Sequence, residues 1–455
     1  VDEYGTEVKD VDRRVTALQR QTDAVQKQTD ENTHAIKDLS SVYVHGNIGV
    51  GALAYSSSFT KVGNYQLAPA TSYGAMYLYP GFSRTTSSGL KYGAASEFRT
   101  ASFNPGLGIN ENSTSTQGIG ALVLRRAYVF LSSPRLGTVQ VGQSNGPFTN
   151  FQSTVIMYGF DDYNSWITDG GAANSFPTGV QANSLSASAG PLYTVSKIAY
   201  FTPSFHGLEF GISFAPTSQG FKEGIANCNA ATSTCAALSG EAYIAPAAGV
   251  TSNFSDFQTR QQNTLETGLH YSHSVNKDLS FTASVSYLHS TPLANTGSVP
   301  IPNGNFAPLN LMQYDVSMTY KKLALAYNVK DGQENSYYRF QQIGAHNAIN
   351  PVAAINYTMG PWVLGAYTSD YTNSGAYRPG ITSSTEEDKT ADIGGKYYIN
   401  KYIDIYFSYL WDHRQQAGVD FSNYGGAVGG GGTVGPRTLG QAASHGVTIG
   451  TTVQW

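Results

Sequence analysis

The chain has 455 residues, a formal net charge of -4 and only 13% charged residues, and it contains 49 glycines and 31 tyrosines. Soluble proteins carry roughly 25% charged residues, so this composition argues against a soluble enzyme. A mean hydropathy of -0.25 and the lack of any run of about 20 apolar residues exclude a bundle of transmembrane helices, and the scattered lysines and arginines give no sign of nucleic-acid binding.

Residues 1–40 differ in pattern from the rest of the chain. Between Val8 and Leu39 there is no glycine or proline, and mostly apolar positions recur at alternating spacings of three and four. This heptad pattern predicts an α-helical coiled coil, with a single amphipathic helix packed on the same chain as the alternative. The apolar seam consists of Val8, Val11, Val15, Leu18, Val25, Ile36 and Leu39.

From Val42 onward the apolar residues recur with a period of two, which is the side-chain period of a β-strand. In residues 401–414, one face carries the polar residues Asp404, Ser408 and Asp412. The other face suits contact with lipid, because it is apolar and aromatic. That face consists of Ile403, Ile405, Phe407, Tyr409 and Trp411.

Segments with this alternation recur along the rest of the chain, and short turns and long polar loops alternate between them. Bacterial outer-membrane barrels have their short turns on the periplasmic side. We therefore predict an all-β fold, a 16-stranded antiparallel transmembrane β-barrel over residues 41–455, preceded by a periplasmic coiled-coil segment over residues 1–40. The predicted strands span residues 42–53, 74–82, 88–101, 120–131, 137–143, 194–203, 207–216, 262–274, 278–289, 310–320, 323–331, 349–359, 361–371, 389–399, 402–413 and 444–455.

The two cysteines of the chain, Cys228 and Cys235, lie in the polar stretch NCNAATSTCAA. They make a poor metal site, and their spacing favours a small disulfide bond, which suits a compartment outside the cytosol. We expect neither a metal ion nor a cofactor.

Residues 122–148, LVLRRAYVFLSSPRLGTVQVGQSNGPF, resemble a hairpin of the Gram-negative porins. In those proteins an arginine-containing strand turns into a G-T-V-x-x-G strand and then into the third long loop. The chain also ends on an aromatic residue, Trp455, where porins usually carry Phe for recognition by the barrel-assembly machinery. The third loop lacks the P-E-F-G-G run of enterobacterial general porins, which leaves the constriction hard to place.

The resemblance implies a homotrimer in the outer membrane of a Gram-negative bacterium, in contact with lipid and lipopolysaccharide. It also implies that the third long loop, about residues 144–193, folds into the lumen. The N-terminal heptads are similar to those of a porin branch whose trimers carry periplasmic coiled coils and of which some members prefer dicarboxylates. The seam residues alone are compatible with a dimer as well.

Strand alternation selects the residues that face the predicted lumen. Lys91, Glu97 and Arg99 share one face of the third strand. Arg125 faces with Ala127 and Val129, whereas Leu122, Leu124, Tyr128 and Phe130 form the apolar face. Arg126 then points outward, which requires either a subunit interface or a bulge that returns it to the lumen. The resemblance places Arg125 in the narrowest part of the pore. The predicted constriction consists of Arg125, Arg99, Lys91, Asp161, Asp162 and Asp169.

A constriction with basic wall residues opposite loop carboxylates would orient dipolar solutes in a transverse field. The alternative for the three aspartates is a solvated acidic loop. We expect a passive channel for small hydrophilic solutes and ions, with two other functions left open: a channel that prefers small anions such as dicarboxylates, and an envelope tether whose coiled coil binds peptidoglycan. We expect no enzyme, because His270 and His273 lie on opposite faces of a strand without a catalytic partner.

Overall fold

The computed structural model describes residues 42–57, 61–62, 65–66, 70–100, 122–153, 195–217, 260–293, 306–334, 340–341, 343–374, 385–417, 419–420, 432–433 and 439–455. The structural statements below concern these residues. The coiled-coil segment 1–40, the loop aspartates Asp161, Asp162 and Asp169, and the cysteines Cys228 and Cys235 lie outside them.

Sixteen antiparallel strands form one closed barrel, in which each strand pairs with its neighbours in sequence and the first pairs with the last. They are β1 (Val42–Ser57), β2 (Ala70–Thr85), β3 (Lys91–Thr100), β4 (Leu122–Ser133), β5 (Gly137–Gln143), β6 (Ser196–Phe201), β7 (Leu208–Thr217), β8 (Arg260–Asn276), β9 (Leu279–Leu293), β10 (Leu309–Tyr320), β11 (Leu323–Gln333), β12 (Ala348–Met359), β13 (Trp362–Asn373), β14 (Glu386–Asn400), β15 (Ile403–Ala417) and β16 (Leu439–Gln454).

Four two-residue strands and one helical turn lie in the connections. Lys61–Val62 pairs with Tyr65–Gln66 between β1 and β2, and Val419–Asp420 pairs with Gly432–Thr433 between β15 and β16. A single helical turn, α1 (Pro147–Asn150), follows β5. No helix in the described part of the chain is long and apolar enough to cross a membrane.

The barrel confirms the sixteen predicted strands. Several strands extend beyond the predicted bounds on the long-loop side: β15 continues to Ala417 instead of ending at residue 413, and β14 begins at Glu386 instead of residue 389. These extensions are polar on both faces, so the alternation of apolar and polar residues does not mark them. Backbone pairing continues there because a neighbouring strand offers hydrogen-bond partners.

Alternating side chains divide the wall into two faces. On β14 to β16 most polar and acidic side chains point into the barrel and are buried, together with Tyr406 and Leu410, whereas most apolar ones point outward and are exposed. This arrangement is that of a barrel with an aqueous interior and an apolar belt. The outward set on β15 and β16 includes Ile405, Phe407, Tyr409, Val447 and Ile449, and the inward set includes Asp404, Ser408, Asp412, Thr448 and Thr452.

The seam between β1 and β16 closes the barrel. Gly46 N–H donates to the Trp455 carbonyl at 3.2 Å, and Trp455 N–H donates to the Gly46 carbonyl at 3.1 Å. The indole ring covers Gly46, since a Cβ atom at that position would lie 2.8 Å from the ring atom Cζ2. Glycine is therefore required where the ring crosses β1.

Candidate functional site

The pairing of β3 with β4 contains a β-bulge at Arg125. Glu97 of β3 pairs with Arg126, and the next residue, Phe98, pairs with Leu124, so Arg125 is the extra residue. In a bulge, two residues of one strand lie opposite one residue of the partner strand, and both of them can point to the same face of the sheet. Arg126 therefore faces the lumen beside Arg125, and of the two explanations open for it, the structure selects the bulge.

One carboxylate links the two arginines. Glu97 Oε1 accepts a hydrogen bond from Arg125 Nη1 at 2.8 Å. Its Oε2 atom accepts from Arg126 Nε and also contacts Arg126 Nη2. The Glu97 side chain is 2% exposed, whereas the arginine side chains are 20% and 29% exposed. We call these three residues the arginine cluster. It carries a net positive charge, and its guanidinium groups remain partly open to the lumen.

The bulge also reverses the predicted faces of the rest of β4. Val129 is 57% exposed on the outer face, opposite Ala94 and Val141, while Tyr128 and Phe130 point inward. The prediction that Ala127 and Val129 face the lumen and that Tyr128 and Phe130 face lipid was therefore wrong. Both faces of this strand are apolar beyond the bulge, so alternation offered no signal for the change of parity.

Aromatic rings surround the arginine cluster on the luminal face of β1, β2 and β4. Tyr43 stacks on His45 with ring centroids 4.9 Å apart, and His45 lies 6.0 Å from Tyr79. The ring centroids of Tyr77 and Tyr79 on β2 are 6.5 Å apart, and so are those of Tyr128 and Phe130 on β4. We call this set the luminal aromatic patch: Tyr43, His45, Tyr77, Tyr79, Tyr128 and Phe130.

The start of the third long loop packs on the inner wall at β7, β8 and β10. Phe148 and Phe151 are buried there, and Phe151 lies against Gly211 and Gly268. Gln313 of β10 donates from Nε2 to the Phe148 carbonyl at 3.1 Å and accepts at Oε1 from Gln152 Nε2 at 2.6 Å. Residues 147–152 are thus fixed inside the barrel.

A buried ion pair lies beneath this loop segment. Lys197 Nζ of β6 lies 2.6 Å from Glu266 Oε1 of β8, and both side chains are 1% exposed. Gly146 passes directly over the carboxylate, since a Cβ atom there would lie 2.1 Å from Glu266 Oε2. The pair therefore supports the backbone at the point where the chain leaves β5 and enters the lumen.

The family model for Gram-negative porins matches residues 33–413 of this chain. The chain belongs to the Gram-negative porin family. It is therefore an outer-membrane channel and not an enzyme. No curated protein matches its sequence at a significant level.

Solved porin structures are similar to this chain at low sequence identity. A Salmonella typhi OmpF structure in complex with daunomycin has a TM-score of 0.52 at 14% identity, covering 91% of this porin and 97% of that chain. An anion-selective porin from Comamonas acidovorans has a TM-score of 0.48 at 12% identity, and the match covers 91% of this porin and 99% of that chain. A mutant of the Rh. blastica porin has a TM-score of 0.45 at 13% identity, and the match covers 91% of this porin and 100% of that chain.

Charges on the inner wall of the porin are segregated by strand. Among the described side chains, β3 and β4 carry mainly cations, and β14 and β15 carry mainly anions, with Lys396 as an exception. The inward cations of β3 and β4 are Lys91, Arg99, Arg125 and Arg126, and the inward anions of β14 and β15 are Glu386, Asp388, Asp392, Asp404 and Asp412.

The described part of the predicted constriction is divided along the pore. Arg99 lies opposite Tyr77 on the inner face, close to the arginine cluster, whereas Lys91 lies at the short-turn end of β3, opposite Ser132. The sequence analysis missed Lys197. The alternation of Lys197 and Ala199 with Ile198 and Tyr200 carries the signal for its inward direction.

Proposed function

We propose that this porin is a general diffusion channel for small hydrophilic solutes and ions, and that its constriction lies between the arginine cluster and the start of the third long loop. The observation that carries this proposal is the bulge at Arg125, because it gives the inner wall two guanidinium groups at one level. A sixteen-stranded barrel is wide enough for an aqueous channel, so charges on the wall and on an inward loop govern what passes.

Single-channel recording in planar bilayers tests this proposal. We expect the conductance to rise with KCl concentration without saturation, and millimolar succinate to leave the current unchanged. A saturating conductance or a protein without channel activity would contradict general diffusion.

A channel that prefers small anions is the second candidate. It is favoured by the two guanidinium groups that share one carboxylate, because this leaves net positive charge at the wall. Dicarboxylates would pair with two cations at once. Block of the KCl current by millimolar succinate, abolished in Arg126→Ala, would support this candidate over general diffusion.

We also propose that Asp161, Asp162 and Asp169 complete the constriction from the remainder of the third long loop, residues 144–193. The support is the position of residues 147–152, which lead this loop into the lumen. Substitution of Asp161 and Asp162 together by Asn should raise anion permeability relative to K⁺. An unchanged permeability ratio would leave these aspartates as solvated loop residues.

The assembly that we propose is a homotrimer in lipid and lipopolysaccharide, inserted by the barrel-assembly machinery, with residues 1–40 as a periplasmic coiled coil. It is supported by the heptad spacing and by the aromatic Trp455 at the seam of the barrel. The coiled coil is also where a tether to peptidoglycan would bind. The proposed bridge between Cys228 and Cys235 lies in the connection between β7 and β8.

A further inference from the structure

Two rings of the luminal aromatic patch, Tyr43 and Phe130, lie over glycines of the neighbouring strand, which leaves room for them along the wall. A Cβ atom on Gly81 would lie 2.2 Å from Tyr43 Cζ, and a Cβ atom on Gly93 would lie 2.8 Å from Phe130 Cζ. A ring can occupy these positions because glycine has no side chain. One ring face is thus covered by the wall, and both side chains remain partly exposed.

The ring planes within the patch are nearly parallel on β1 and β2. The planes of Tyr43 and His45 differ by 10°, and those of Tyr77 and Tyr79 differ by 8°. Parallel rings along one strand present similarly oriented faces and edges to a planar solute. Offset stacking on such rings is attractive for any aromatic group, since it needs no hydrogen-bond match.

The arginine cluster lies directly beside these rings. Tyr79 of β2 lies between the positions paired with Ala95 and Arg99, which places it next to Glu97, and Tyr128 follows Arg126 by two residues on the same face. Neighbouring strands are about 4.8 Å apart, and residues i and i+2 of one strand about 6.6 Å apart. A ring stacked on Tyr79 or Tyr128 would therefore hold a substituent within reach of a guanidinium group.

Arginine supplies the charge that such a substituent needs. Arg126 is 29% exposed, and Glu97 accepts from its Nε and contacts Nη2, while guanidinium carries five N–H donors. The remaining donors can bind a carboxylate in charge-assisted hydrogen bonds. We propose that the luminal aromatic patch and the arginine cluster form a binding site for small aromatic carboxylates, with the ring stacked on Tyr79 and the carboxylate bound by Arg126.

This inference rests on the proposed function only in requiring that solutes reach the inner wall. Saturation-transfer NMR on the full-length porin in detergent micelles measures binding directly, with benzoate as the probe and cyclohexanecarboxylate as its non-aromatic match. The two acids have the same charge and similar size, so a difference in their affinity reports stacking. We expect benzoate to bind about fivefold more tightly than cyclohexanecarboxylate. Equal binding of the two, or no benzoate signal, would overturn the proposal.

Substitutions assign the two halves of the site. Tyr79→Leu should abolish the preference for benzoate, and Tyr79→Phe should keep it. Arg126→Gln should weaken the binding of both carboxylates. Tyr398→Leu is the matched control, because Tyr398 is an exposed aromatic residue on the inner face of β14. A preference that survives in Tyr79→Leu would exclude this ring.

KCl conductance of the parent porin separates the two proposals. Ohmic conductance in a parent porin that shows no benzoate preference would refute the binding site and leave the diffusion channel intact. Benzoate binding in a protein whose conductance saturates would refute general diffusion and leave the binding site intact.

Discussion

At Arg125 the strand β4 contains one residue more than β3 can pair, and this single residue turns the charge of Arg126 to the inner wall. Without the bulge, Arg126 would point toward lipid, where it costs about 2 to 4 kcal/mol at the bilayer midplane. With it, Glu97 and both arginines form one compact group. The polar contact of Arg126 replaces what would otherwise be an unfavourable burial in hydrocarbon.

We predict that Arg126→Ala changes ion selectivity. Removal of one positive charge beside the permeation path should raise the K⁺/Cl⁻ permeability ratio about twofold at low salt. The effect should shrink at higher salt, because the screening length is about 10 Å at 0.1 M salt and becomes shorter above it. The reversal potential in a KCl gradient measures this ratio. Arg135→Ala, in the exposed turn after β4, is the control.

The same measurement on Arg125→Ala tests the position of the constriction. We expect a shift toward cation preference of similar size, with unchanged migration of the folded oligomer on gels. If both arginine variants keep the reversal potential of the parent, the arginine cluster does not lie at the narrowest level of the pore.

Elements differ in how far the sequence predicts them. The sixteen strands follow from a period of two, because most of them have one apolar and one polar face. The bulge and the faces of β4 do not follow, because Tyr128, Val129, Phe130 and Leu131 are apolar on both sides. The inner packing of Phe148 could not be predicted either, since it depends on Gln313, far away in sequence.

The ion pair beneath the third loop gives a prediction at this scale. Lys197→Met leaves the Glu266 carboxylate buried without its cation, which should destabilise the barrel by about 3 to 5 kcal/mol. Urea unfolding of the porin in lipid vesicles measures this loss. The double variant Lys197→Met/Glu266→Leu should recover part of the stability, because it removes the buried charge altogether; a double variant less stable than Lys197→Met would refute this explanation.

For the whole molecule, a closed barrel predicts cooperative resistance to denaturation. Each of the sixteen barrel strands has two neighbours, so the barrel has no edge from which pairing can fray. We expect unheated porin in SDS to keep a β-rich circular dichroism spectrum and to migrate differently from the boiled sample. A spectrum dominated by helix, or one unchanged by boiling, would contradict this prediction.

Deletion of residues 1–40 tests the proposed coiled coil separately from the channel. The truncated porin should conduct like the parent, because the charges that we place at the pore lie on the barrel. We expect its oligomer to dissociate at a lower temperature on SDS gels, and the cell envelope to lose attachment if the tether exists. Unchanged oligomer stability would show that barrel contacts alone hold the assembly.

The pairing of Gly46 with Trp455 has a kinetic consequence. Each other pair of neighbouring strands is consecutive in sequence and can form as a hairpin, whereas this seam joins strands from opposite ends of the chain. Contacts between strands that are far apart in sequence form slowly, because the chain loses conformational entropy before the contacts stabilise it. Until the seam closes, the edges of β1 and β16 carry unpaired N–H and C=O groups that lipid cannot satisfy. The interval before closure is therefore when a nascent barrel is most prone to pair with the wrong chain.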